Sequence, residues 1–136
     1  MTNLEIASLL RNMAAAYQIL GENRFKIIAY DRAADSIEHL TSEVKDLWDD
    51  GKLGDIPGVG STIASYLDEL FKTGTVKHFE ETMKKLPQSI YPLLLVPGIG
   101  PKKAYKLVTA LKLRSASSVI DDLKKAATAG KIAPIE

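Results

Sequence analysis

The sequence predicts an all-α chain built on two copies of one turn. Three observations carry this. Apolar residues recur at helical spacing between capping residues and glycine or proline stops. No segment alternates with period two for long enough to argue a strand. A short apolar-Pro-Gly-apolar-Gly motif returns at a forty-residue offset.

The elements follow in order. Thr2 is placed to cap a helix beginning at Asn3, with Glu5 in the capping-box position. Leu4, Ala7, Leu10, Met13, Ala14, Tyr17 and Leu20 then share a face, and Gly21 stops the run. Asn23 caps a second helix whose apolar face is Phe25, Ile28, Ala29, Ala33, Ile37 and Leu40. Thr41 or Ser42 starts a short helix through Leu47 and Trp48, ended by Gly51. Gly54 to Gly60 is a turn region. Ser61 to Lys72 is helical through Ile63, Ala64, Leu67 and Leu70, closed by Gly74. Val76 to Leu86 is another helix, ended by Pro87. Ser89 to Leu95 is short and apolar, and its first turn tolerates Pro92. A second glycine turn spans Pro97 to Gly100. Pro101 suits the start of a helix to about Leu111. Ser115 or Ser117 starts the last helix, which ends near Gly130. The apolar faces claim Trp48, Tyr17, Phe25, Phe71 and Phe79 for the core rather than for stacking on a ligand. His39 reads as an ordinary helix-surface residue.

Composition removes whole classes of chemistry. Without cysteine there is no disulfide, iron–sulfur cluster, thiol nucleophile or thiolate zinc site, and two histidines are too few for a histidine-rich metal centre. No run of about 18 apolar residues is present to span a membrane, and the stretch before Arg11 is too mixed for a secretory leader, so a cytoplasmic protein is expected. The net charge of +1 hides an uneven distribution. Residues 1–60 carry six basic and ten acidic side chains, whereas residues 61–136 carry twelve and seven. Such a split gives a polarised surface when the fold separates the two parts.

The repeat carries most of the functional information. Ile56-Pro57-Gly58-Val59-Gly60 recurs as Val96-Pro97-Gly98-Ile99-Gly100, each followed by a helix with alanine at the same place, Ala64 and Ala104. This is the helix-hairpin-helix signature. The glycines permit tight or left-handed backbone, and Val59 and Ile99 plug the hairpin cores. The second glycine opens a helix N-terminus whose free N–H groups suit a phosphate oxygen. Gly58, Gly60, Ser61 and Thr62 in the first copy, and Gly98, Gly100, Lys102 and Lys103 in the second, are therefore the candidate DNA-backbone contacts. Nothing in them reads a base edge, so binding is expected to ignore sequence. Lys102 and Lys103 make the second hairpin the more electrostatic of the two. A Walker A loop is excluded because no Gly-Lys-Ser/Thr ending occurs, and a dinucleotide-binding turn because no strand precedes either loop. The alternative is a helical protein-interaction or scaffolding module, whose surface an apolar patch would dominate.

Three stretches, NRFKIIAYDRAADSI at 23–37, KLGDIPGVGSTIASYLDELFKTG at 52–74 and LLLVPGIGPKKAYKLV at 93–108, carry a resemblance. The chain resembles the N-terminal region of family X (DNA polymerase beta-like) DNA polymerases, especially the bacterial and archaeal type with a PHP phosphoesterase domain. That resemblance implies a small helical domain over residues 1–86 holding the first hairpin. It implies a second hairpin over 87–136, with ATAGKIAPIE at 127–136 leading toward a third. It implies a monomer that binds gapped or nicked DNA with a 5′-phosphate, joined to the remaining domains of a repair polymerase. Magnesium or manganese would belong to that polymerase's palm, which these 136 residues do not contain. Lys26 and Tyr30 match family residues that hold the 5′-phosphate and sugar. No cofactor is required, but a monovalent cation (Na⁺ or K⁺) would sit on the carbonyls of Gly54, Ile56 and Val59, and of Leu94, Val96 and Ile99.

The family's 5′-deoxyribose-phosphate lyase activity needs a lysine nucleophile. The matching position holds Tyr66, which cannot form an imine. Thr62 stands at the auxiliary lysine's place and His78 at that of a phosphate-binding lysine. The resemblance therefore implies a non-catalytic chain. A displaced lysine, Lys72 or Lys77, is the route by which lyase chemistry would survive.

Overall fold

The computed structural model describes residues 1–113 and 115–128. The expected helix end at Gly130 and most of the lead-in to a third hairpin fall outside them. The described residues form helices and turns with no strand, the all-α fold expected. The chain makes two compact units, Met1–Thr82 and a second from Met83 onward. The boundary expected after Leu86 lies four residues further along the chain.

In the first unit, α1 (Asn3–Ile19) starts with the capping box that Thr2 and Glu5 announce. The Glu5 backbone N–H donates to Thr2 Oγ1, and the Thr2 N–H donates to Glu5 Oε1, each at 3.1 Å. It ends in paired bonds from Gly21 N–H to the Gln18 carbonyl and from Glu22 N–H to the Tyr17 carbonyl, with Gly21 at φ 76°. Ile6, Ala7, Leu10, Met13, Ala14 and Tyr17 are buried, against α2 (Arg24–Glu38). Leu4, counted among the apolar positions, is exposed.

The face of α2 differs from expectation. Its buried stripe is Tyr30, Ala33, Ala34 and Ile37. Phe25, Ile28 and Ala29 are exposed, Phe25 at 80%. Tyr30 displaces them because its ring packs edge-on to Tyr17 and Phe79, at 5.2 and 5.9 Å between centroids. That contact fixes the rotation of the helix and turns the 25/28/29/32 side away from α1.

Helix α3 (Val44–Asp49) begins two to three residues later than its sequence suggests. Its first turn is capped from a distance: Asn3 Oδ1 accepts the Val44 N–H at 2.9 Å, while Asn3 Nδ2 donates to the Ser42 carbonyl. A 3₁₀ turn over Leu53–Asp55, absent from the sequence reading, leads into the first hairpin. Helix α4 (Ser61–Thr73) ends at Gly74 in the left-handed region. Trp48 and Phe71, assigned to the core, are half-buried. They stack on each other at 5.2 Å, and the indole donates to Asp68. Helix α5 (Lys77–Met83) stops short of Leu86.

In the second unit, α6 (Ile90–Leu93) is a single turn rather than seven residues. It packs on α7 (Pro101–Leu111) and α8 (Val119–Thr128). Ser89 is fully buried and donates to the Leu113 carbonyl. Tyr91 donates to the Met83 carbonyl at 2.9 Å, and burial pushes its phenol up to about 12. Ser118 precedes α8, later than Ser115 or Ser117, and its carbonyl accepts the first bond from Asp122.

Candidate functional site

Both hairpins have the same backbone. Gly58 and Gly98 sit at φ 79° and 85°, where a side chain is strained. Each turn closes with one bond, Val59 N–H to the Ile56 carbonyl and Ile99 N–H to the Val96 carbonyl, both at 3.1 Å. Val59 is buried; Ile99 is only half-buried and fills its turn less completely than expected. Gly60 and Gly100 are the residues that cap α4 and α7, and they are not left-handed. Their φ of −82° and −87° with extended ψ is open to any residue, and a Cβ added at either would meet nothing within 4 Å. What glycine provides there is uncovered approach to the helix N-terminus, with no side-chain cap bond in the way.

In the first unit this terminus opens onto a cleft of about 530 Å³. One wall is Gly58, Gly60, Ser61, Thr62, Ile63 and Tyr66, from the turn and α4. The other is Lys26, Ala29 and Tyr30, from α2, and His78 of α5 completes the lining. The turn can approach α2 this closely because Gly58 lacks a Cβ: one built there would lie 3.4 Å from the Arg32 backbone. The six first-hairpin candidates from the sequence, Lys26, Tyr30, Gly58, Gly60, Ser61 and Thr62, are thus brought to one place.

The cleft is lined by one lysine and one histidine, with no carboxylate. Lys26 Nζ lies 4.3 Å from the centroid of the Tyr17 ring and 3.9 Å from Glu22 Oε2. Tyr17 Oη and His78 Nε2 are 2.6 Å apart. The Tyr66 ring is stacked on the imidazole at 5.2 Å with 10° between planes. Burial raises the phenols of both Tyr17 and Tyr30 above the ordinary tyrosine range, so they stay neutral. The contact of His78 with Tyr17 gives no sign of itself in the sequence, because the two lie sixty-one residues apart.

Lys72 pairs with Asp68 at 3.0 Å on the outer side of α4, and neither it nor Lys77 lines the cleft. The displaced-lysine route has no amine from those two residues at this site. Phe25 was expected in the core, yet it projects from α2 one turn before Ala29 of the cleft wall. Arg24 and Arg32 are exposed. His39 is exposed at the C-terminal cap of α2, its Nδ1 2.7 Å from the Asp35 carbonyl.

In the second unit, Gly98 and Gly100 are exposed, as are Lys102 and Lys103 in the first turn of α7. The carbonyl sets expected to hold a cation, Gly54, Ile56 and Val59, and Leu94, Val96 and Ile99, lie in and before the two turns. The Ile56 and Val96 oxygens each accept one turn bond, which leaves a lone pair for a hard cation. Neutral carbonyl oxygens fit a monovalent ion.

A family model described as a helix-hairpin-helix domain matches residues 1–76. Among curated proteins, the DNA polymerase/3′-5′ exonuclease PolX of Bacillus subtilis (strain 168) is 33% identical over 116 residues, 85% of this chain. The chain spans 20% of that relative's length.

Proposed function

Since the chain belongs to the helix-hairpin-helix domain family, we propose that it binds the sugar-phosphate backbone of gapped or nicked DNA, without reading base sequence, as the DNA-binding part of a family X repair polymerase. The observation that carries this is the pair of exposed α-helix N-termini at Gly60 and Gly100, where glycine is kept without any demand from the backbone. A phosphate oxygen accepts hydrogen bonds from such a terminus, and the helix dipole adds to the attraction. In the first unit Lys26 faces the same cleft, which takes a terminal 5′-phosphate with its sugar against Tyr30. In the second, Lys102 and Lys103 add salt-dependent attraction. Phe25 gives an unpaired base beside the gap a ring to stack on, worth about 1–3 kcal/mol. A sodium or potassium ion on the two carbonyl sets would add positive charge at each turn. The polymerase activity belongs to the same proposal, drawn from the relative; a PHP domain and a cytoplasmic setting join it on the sequence resemblance alone.

The test separates binding from folding. Gly60→Ala and Gly100→Ala should each leave stability within about 1 kcal/mol, because the backbone there accepts alanine. Each should weaken binding of a 5′-phosphorylated gapped duplex at least several-fold at constant salt. Unchanged affinity in the double variant would remove the helix termini from the interface.

A further inference from the structure

The first cleft holds one side chain of the type that changes charge near neutral pH, and two contacts fix its orientation. We propose that His78 makes recognition of a terminal phosphate by this cleft pH-dependent, with Tyr17 and Tyr66 positioning its imidazole. The proposal rests on the reading of the cleft as a phosphate site and adds how that site is regulated.

Tyr17 fixes the edge of the ring and Tyr66 covers one face. The phenol of Tyr17 keeps its proton, since burial raises it. With a neutral imidazole, the Tyr17 O–H donates to Nε2 and the ring proton resides on Nδ1. With a charged imidazole, Nε2–H donates to the Tyr17 oxygen and Nδ1 still carries a proton. Nδ1 is the ring nitrogen with no hydrogen-bond partner among the described residues. Nδ1–H therefore remains a donor in either state. Protonation adds charge without turning the ring.

The surroundings make that charge count. From α1 the imidazole meets Tyr17 and from α4 Tyr66, while Tyr30 and Lys26 of α2 line the same cleft, Lys26 over the Tyr17 ring. On its own helix, Lys77, Glu80 and Glu81 are exposed, and the Lys77 backbone N–H donates to Glu69 of α4. Glu22 is engaged with Lys26 at 3.9 Å. No carboxylate lines the cleft, so a protonated His78 doubles its cationic groups from one to two. Imidazoles as a class lose their charge between about pH 5 and 8, and a phosphate monoester gains its second negative charge near about pH 6. Attraction is strongest where both charges coexist and declines toward pH 8.

The test measures Kd for two gapped duplexes that differ only in a 5′-phosphate or 5′-hydroxyl, from pH 6.5 to 8.5 at fixed ionic strength. In the wild-type chain the preference for phosphate should fall on the order of fivefold across that range, as a charge-assisted hydrogen bond becomes a neutral one. His78→Lys should hold the preference flat. His78→Gln should lower it at pH 6.5 to the wild-type level at pH 8.5. His39→Gln, altering the other histidine, should keep the wild-type profile. A phosphate preference that is flat with pH in the wild type, or a profile abolished by His39→Gln, overturns this proposal and leaves the phosphate reading standing. Equal binding of the two duplexes at every pH overturns the phosphate reading itself. Tyr17→Phe should shift the neutral imidazole from its Nδ1–H toward its Nε2–H tautomer, seen in the ring ¹⁵N shifts. An unchanged tautomer would remove Tyr17 from its positioning role.

Discussion

Trp48 and Asp68 show how much one side chain can depend on another twenty residues away. The indole Nε1 donates to Asp68 Oδ1 at 2.8 Å, and Lys72 lies 3.0 Å from the other oxygen. The Trp48 hydrogen bond and then that of Lys72 hold the Asp68 carboxyl below its ordinary value. A carboxyl depressed by folding contributes stability above its unfolded pKa and loses it as pH falls through the folded one. Trp48→Phe should therefore move the Asp68 titration upward, measured by carboxyl ¹³C shifts, and shrink the acid-dependent loss of stability. At the end of α7, Lys112 occupies the left-handed region at φ 55°, the place that Gly74 takes after α4. Lys112→Gly should raise stability by about 1 kcal/mol, read as a higher Tm. The sequence announced the Thr2–Glu5 box because a cap is local. It misplaced Phe25 because an apolar residue at helical spacing looks the same whether its face meets α1 or water. Only the Tyr17–Tyr30–Phe79 contact decides which.

Helix starts and stops were legible where glycine, proline or a neighbouring cap defines them, as for α1, α2, α4 and α7. They were not legible where the cap comes from elsewhere. Asn3 starts α3 across forty-one residues, and no pattern near Thr41 or Ser42 contains that information. Replacing Asn3 with alanine should fray the first turn of α3, seen as faster amide exchange at Val44 with α1 unaffected. The two hairpins also differ beneath their shared motif. Gly58 has both a positive φ and the Arg32 backbone close to its missing Cβ, whereas Gly98 has the φ and open space. Alanine at each should cost roughly 1–2 kcal/mol for the backbone. The loss at Gly58 should be larger in chemical denaturation, since the turn must also retreat from α2. The candidate cleft was half legible for the same reason. Its turn residues are written in the repeat, and the family resemblance assigns Lys26, Tyr30, Tyr66 and His78 to the same pocket, while the Tyr17–His78 contact is made by tertiary packing alone.

Dividing the chain at the boundary of its compact units sharpens the charge pattern. Met1–Thr82 carries a net −6 and the rest a net +7, which together give the near-neutral +1. The salt dependence of DNA binding should accordingly reside mostly in the second unit. Changing Lys102 and Lys103 to alanine should reduce the slope of log Kd against log salt by about 1 per lysine, alike across DNA sequences. A loss confined to one sequence would contradict backbone recognition. One consequence of the uncovered helix termini reaches beyond affinity. Aspartate is among the best residues to begin a helix, so Gly60→Asp or Gly100→Asp should make the protein sturdier by several tenths of a kcal/mol while repelling the phosphate proposed to bind there. Selection for robustness alone would replace these glycines. On the proposed reading these two positions exchange heat tolerance for access to phosphate, and the double aspartate variant gives the engineer a folded, weakly binding control.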